Sequence, residues 1–401
     1  KGFALSNVGQ TGNAVKFDMI LMKGNVAHFD GKVSGDTIKG DFEQQGVKGK
    51  FYLAKQKDQK PEFKALEFFE REVTIQRDGF KLAGTLTTPL VGSNFPAVVL
   101  VTGSGLQDRN EELFEFKPFE VIADRLTRAG YAVLRYDDRG FAESTAPAGN
   151  DPTSMDYADD ALAVVKFLQT QSDINPRKIG ILGHSEGGLI ATINAARSKD
   201  VAFAITLGGP AVDGEQILRE QGRLIAIAEG ATDDEVKKQT ETQQLFFDAI
   251  KGKLAWNELE TRVLEETRKE LEKSHPEGVS DSLLNMTKMQ IKAQIHQTNN
   301  KWFKFFMEYD PYADFEKASC PLLALYGEMD TQVPAALNVP IIEKMINEKG
   351  KKNYTYKIIP KANHLFLHTE TGKLSEYATM EKKFVPGFLD EIVSWMDKNV
   401  K

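Results

Sequence analysis

Apolar and polar positions change rhythm three times along this chain. Up to about residue 55 they alternate in short runs such as Val15-Lys16-Phe17-Asp18-Met19, interrupted by Gly24-Asn25, Asp30-Gly31 and Gly35-Asp36. A period of two broken by turn residues predicts a β-meander. Residues 55–64 are polar and Lys-rich around Pro61, and read as a linker. Residues 72–77 and 81–86, joined by Asp78-Gly79, predict a hairpin. The rhythm then changes. Ala97-Val98-Val99-Leu100-Val101 is apolar throughout, as a strand buried on both faces requires. Strands over 132–136, 178–182 and 202–207 alternate with helices over 116–129, 155–170 and 186–197. Such alternation predicts an α/β protein with a mainly parallel, doubly wound sheet. From 213 to 310 the chain is charged and helical in period, with helices over 215–230, 232–250 and 256–273. This block ends in Trp302-Phe303-Lys304-Phe305-Phe306-Met307. Strands resume over 322–326 and 354–359, and an amphipathic helix over 383–398 closes the chain through Phe384, Phe388, Ile392 and Trp395. The expected organisation is a β-meander at 1–60, an α/β core at 61–212 and 311–401, and a helical cap at 213–310.

One motif carries the chemistry. Gly183-His184-Ser185-Glu186-Gly187 lies between a predicted buried strand and a predicted helix. Gly-x-Ser-x-Gly in that context is a nucleophile elbow: small residues let strand and helix close up while the serine stands at a helix N-terminus. A serine hydroxyl is a weak nucleophile and needs a base, which in turn needs an orienting acid. In chain order these follow the serine, on loops after later strands. His364 comes directly after the strand at 354–359 and is the expected base. His368 lies further from the strand end, and His184 is expected to point away from the serine. Asp330 is the expected acid, on the loop after 322–326, with Glu328 as the alternative. The oxyanion hole needs two backbone donors. The N–H of Glu186 is one, and the loop Thr102-Gly103-Ser104-Gly105 supplies the other, placed at Ser104 with Gly105 beside the substrate. Phe306, with Phe246 and Phe247, is a candidate for an apolar acyl pocket. Gln107-Asp108-Arg109-Asn110 is expected near the pocket floor, and Arg139 to be buried against a carboxylate.

Composition narrows the classes. Of 401 residues, 41% are hydrophobic and 27% charged, with a net charge of -7. No Lys/Arg run suggests a nucleic-acid surface, and no stretch reaches the roughly 18 apolar residues of a membrane span. The single cysteine, Cys320, excludes an intramolecular disulfide and a Cys-rich metal site. It reads as a small buried hydrophobe. The chain begins at Lys1 with no signal-peptide pattern, so a processed or trimmed product is expected.

Gly103-Ser104-Gly105-Leu106-Gln107-Asp108-Arg109, the run Gly183 to Gly188, and Asp138-Arg139-Gly140 with Ser144 together resemble the bacterial esterase branch of the α/β-hydrolases. Phe141-Ala142 departs from that pattern, which more usually has a Gly one residue earlier. The resemblance covers residues 72–401. It implies a serine carboxylesterase acting on short acyl esters, with no cofactor and no metal. Gly35-Asp36-Thr37-Ile38-Lys39-Gly40, with Phe42 and Gln44-Gln45-Gly46, is similar to the latter half of small lipocalin-like domains preceding some bacterial secreted hydrolases. That implies a periplasmic or secreted setting, and an open sheet edge able to pair with a second copy as a homodimer. Two other readings stay open: a peptidase or thioesterase with the same triad, and a binding protein on a hydrolase scaffold.

Overall fold

The computed structural model describes residues 4–22, 25–44, 47–55 and 68–401. The chain divides into two units, Lys1–Ala65 and Leu66–Lys401. Beyond Lys55, the expected linker and the boundary at residue 60 lie outside the described residues, as does Gln45-Gly46.

The first unit is an antiparallel meander of β1 (Ala4–Thr11), β2 (Ala14–Met22), β3 (Asn25–Ser34), β4 (Thr37–Gln44) and β5 (Val47–Ala54), paired in chain order. The two-residue alternation gathers aromatics on one face. Phe17 stacks on Phe29 at 4.8 Å, and Phe51 meets Phe29 edge-on at 5.0 Å. Strands β1 and β5 are the two edges of this sheet.

The second unit begins with the antiparallel pair β6 (Phe68–Arg77) and β7 (Phe80–Pro89), followed by β8 (Phe95–Val101). Then come α1 (Pro118–Arg128), β9 (Ala132–Tyr136), α2 (Ser154–Gln169), β10 (Ile174–His184), α3 (Glu186–Arg197) and β11 (Ala204–Leu207). Six helices interrupt the sheet: α4 (Gly214–Ala228), α5 (Asp233–Ile250), α6 (Trp256–Ser274), α7 (Asp281–Thr298), α8 (Lys301–Glu308) and α9 (Tyr312–Lys317). The sheet is completed by β12 (Leu322–Gly327), α10 (Ala335–Asn347), β13 (Tyr354–Ile359) and α11 (Phe388–Asn399). The strand order is β13-β12-β11-β10-β8-β9-β7-β6. All neighbours from β13 to β9 run parallel, and β7 is antiparallel to β6 and β9. The fold is therefore a mixed, mainly parallel α/β sheet of eight strands. Its two faces bury separate cores, one including Val99, Ile181 and Ala324, the other Leu100, Leu182 and Leu325. Alternate residues of the same all-apolar runs supply both, which is why these strands show no polar face.

Two elements differ from the sequence expectation. The last helix begins at Phe388, because Phe384 joins a β-bridge with Leu367 and Pro386 and Gly387 (φ +84°) precede the first turn. Helix α10 was not expected, since Pro340 lies inside it. Buried Asn338 anchors it, donating to the Pro334 carbonyl at 2.9 Å and accepting from the Ala211 N–H at 2.7 Å. Among the described residues no helix is long and apolar enough to cross a membrane. Cys320 is partly buried, and burial pushes its thiol up to about 11.

Candidate active site

Parallel strands bring their carboxyl ends to one edge, and ligands of such sheets bind outside that edge where the strand order reverses. Here β8 lies between β9 and β10. The segments leaving β8, β10, β11, β12 and β13 carry Gly103-Ser104, Ser185, Gly208, Asp330 and His364 in turn. Register places Gly183 opposite Val101 and His184 opposite Leu207, so these loops leave the sheet at one level.

Ser185 has φ +53° and ψ -120°, a backbone conformation unusual outside glycine, and it directly precedes α3. Its N–H donates to the Leu207 carbonyl at 2.8 Å and its carbonyl accepts from the Gly188 N–H at 2.9 Å. The turn closes because the residues two positions either side of Ser185, Gly183 and Gly187, have no side chain. A Cβ on Gly183 would fall on the Gly187 carbonyl. His364 Nδ1 donates to Asp330 Oδ2 at 2.7 Å. The other carboxylate oxygen accepts from the N–H groups of Gln332 at 2.8 Å and Val333 at 2.9 Å. Both side chains are buried, so this hydrogen bond acts at low local dielectric. Space for the imidazole comes from Gly208 (φ +58°), where a Cβ would stand 3.1 Å from the His364 ring.

Ser185, His364, Ser104, Glu186 and Phe306 all line one cavity of about 440 Å³. Its roof comes from the helical block, through Ile217, Leu218 and Gln221 of α4 and Trp302 and Phe306 of α8. Trp302 and Phe306 stack at 5.1 Å and 7°. The Gly103 N–H is taken by Glu111 Oε1 at 2.7 Å. Among the described residues, the amides of Ser104 and Glu186 make no hydrogen bond. Gly105 (φ +92°) is exposed and outside the lining. Gln107 lines the cavity, whereas Asp108, Arg109 and Asn110 do not. Arg109 instead grips Asp137 through Nε at 3.0 Å and Nη2 at 2.7 Å. Arg139 is buried against Asp160, at 2.6 Å, and lies over the Phe80 ring. Ala142, where the motif departs from its usual pattern, has φ +46°. Glu328 accepts from the Lys361 N–H at 2.8 Å and does not line the cavity. His368 is exposed, 3.4 Å from Glu370.

Two features escape local sequence reading. The Glu186 side chain is buried and accepts from Ser154 Oγ at 2.6 Å and Trp302 Nε1 at 2.7 Å. Burial pushes this carboxyl above its ordinary range, against the pull of the Ser154 and Trp302 donors and the nearby Ser104 side chain. It ties the elbow to helix α8. The second is His184, which is buried beside His364 with ring centroids 4.6 Å apart. Its Nδ1 meets Glu111 Oε1 at 2.8 Å and its Nε2 meets the His364 carbonyl at 2.9 Å. Burial by itself lowers the His184 pKa, but the Glu111 carboxylate and the His364 carbonyl outweigh it and hold it above 6.5. The only hint in the sequence is a histidine placed at the end of an apolar strand.

The sign of that shift sets a pH dependence. A pKa raised on folding contributes stability fully present below the unfolded value and lost as pH rises through the folded one. Removing one partner of a buried pair costs about 3–5 kcal/mol. Glu111→Ala is therefore expected to lower the unfolding free energy by about that much. The deficit should be largest below about pH 6.5, the ordinary His value, and shrink as pH rises. Urea titrations across that range check it, and a deficit that grows with pH would contradict the charged form of His184.

The family model described as serine aminopeptidase, S33 matches residues 115–371, more than half of the chain. The chain belongs to this α/β-hydrolase family. Esterase EstD of Thermotoga maritima is 28% identical over 366 residues, covering 90% of this chain and 74% of the relative. Among solved structures, the Pyrococcus furiosus esterase Pf2001 is similar at a TM-score of 0.51 and 16% identity, covering 84% of this chain and 93% of that one. DcsB, solved with a substrate analogue, is similar at a TM-score of 0.50 and 15% identity, covering 83% and 99%. At these identities the two structures speak for the fold alone. The hydrolase domain thus places Ser185, Asp330 and His364 at the loop end of its sheet.

Proposed function

We propose that this hydrolase is a serine carboxylesterase working through Ser185, His364 and Asp330. The observation that carries the reading is the buried His364–Asp330 hydrogen bond of 2.7 Å opening onto the same cavity as the strained Ser185. With Nδ1 donating to a carboxylate, the neutral imidazole is the tautomer whose Nε2 carries a lone pair, the form a general base requires. Ser185 Oγ attacks the ester carbonyl as His364 takes its proton. The Glu186 and Ser104 amides hold the oxyanion, and His364 returns the proton to the departing alcohol. Water then cleaves the acyl-enzyme by the same route. The esterase relative matching 90% of the chain supports an ester as the scissile bond.

The family's description as serine aminopeptidases favours a second reading, amide cleavage by the same triad. A panel of short acyl esters, acyl-thioesters and aminoacyl amides separates the two. Turnover confined mainly to the esters is expected. Preferred cleavage of the aminoacyl amides would replace the esterase reading with the peptidase one.

A further inference from the structure

The helical block holds a second space, a groove of about 400 Å³. Its floor is Phe246, Phe247, Ile250 and Phe303, from α5 and α8. The three α5 side chains are buried. Its rim is Gln239, Thr242 and Gln294, with no charged side chain in the wall although 27% of the whole chain is charged. Leu218 belongs to the walls of both the reaction cavity and this groove. The consecutive rings Trp302 and Phe303 meet edge-on, with centroids 5.0 Å apart and planes at 90°, and one lines each space. The Leu218 backbone is held by Gln243, which donates to its carbonyl at 2.8 Å. The Leu218 side chain packs against the cluster of Phe247, Ile250 and Met307, between the two spaces.

Chemistry assigns the groove to one half of the substrate. His364 must reach the departing alcohol, so the alcohol lies by the walls beside His364 and Asp330, made by Gln332, Val333 and Tyr377. Of the remaining lining, which also includes Leu113, Phe114 and Leu374, the wall formed by α4 and α8 adjoins the groove through Leu218. We propose that the acyl chain passes Leu218 and lies in this groove, so that the enzyme accepts esters of long, uncharged acyl chains. The apolar floor takes the methylenes, and the uncharged polar rim closes over them without an unpaired charge to bury. This rests on the esterase reading above and extends it by naming the acyl class.

The test compares kcat/KM for p-nitrophenyl acetate and dodecanoate in wild type, Thr242→Trp and Leu218→Ala. Thr242→Trp fills the groove from α5. Returning two methylenes to water at ~0.8 kcal/mol each costs about tenfold, so the dodecanoate-to-acetate ratio should fall by about that factor or more. Leu218→Ala widens the passage and should raise the ratio. Gln294→Trp, which fills the groove from the exposed helix α7, should repeat the fall and serves if Thr242→Trp folds poorly. A ratio unchanged in both tryptophan variants overturns the groove assignment while leaving the esterase reading intact. Failure of wild type to cleave either ester overturns the esterase reading itself.

Discussion

Ser185→Ala is expected to lower kcat for a short acyl ester by about 10⁶-fold, with KM little changed. The change removes the only hydroxyl at the elbow and leaves the Ser104 and Glu186 amides, the cavity and the His364–Asp330 pair in place. Residual turnover above the solvent rate should persist, by about 10³–10⁴-fold, because binding and the oxyanion donors survive loss of the nucleophile. Fluorophosphonate labelling gives an independent measure. Wild type should carry one adduct, on Ser185, and the variant none. A variant retaining activity within about tenfold of wild type would exclude Ser185 as the nucleophile, since loss of a triad serine is far costlier.

Asp330→Asn is expected to lower kcat by about 10⁴-fold, the cost of the wrong imidazole tautomer. The geometry makes the direction specific. One oxygen of Asp330 accepts from two backbone N–H groups, of Gln332 and Val333, and the other accepts from His364 Nδ1. An asparagine keeps its carbonyl toward the two amides and turns its NH₂ toward Nδ1. The imidazole must then accept at Nδ1 and carry its proton on Nε2, where it can no longer act as a base toward Ser185. Glu328→Gln provides the comparison. Glu328 is occupied with the Lys361 N–H, so its neutralisation should leave kcat nearly unchanged. The reverse ranking of these two variants would transfer the orienting role to Glu328.

The strands were legible because a strand covered on both faces must be apolar at every position, and Ala97-Val98-Val99-Leu100-Val101 is. The elbow was legible because its chemistry is local: a tight strand-to-helix turn needs residues without side chains at fixed distances from the serine. Asp330 and His364 were singled out by the rule that catalytic loops follow strand ends, and the fold brings the two side chains within 2.7 Å of each other. Helix α10 was masked by Pro340, a residue that local propensity counts as a breaker. The start of α11 was misplaced because Phe384 continues the apolar period while its backbone pairs with Leu367 instead.

What the sequence determined by itself was the α/β class, the strand-to-helix elbow that carries Ser185, and the strand-end loops that carry Asp330 and His364. Each follows from short-range physics: the burial period, turn sterics and the protonation chemistry of single side chains. Only the tertiary structure decided which groups meet. His184 finds Glu111 across 73 residues, and Glu186 finds Trp302 across 116. It also decided that Leu218 stands between two spaces, and that Glu328 faces a backbone amide instead of an imidazole. A buried polar residue announces in the sequence that it must have a partner. Strand order and register, which are set by the packing of the whole sheet, decide who that partner is.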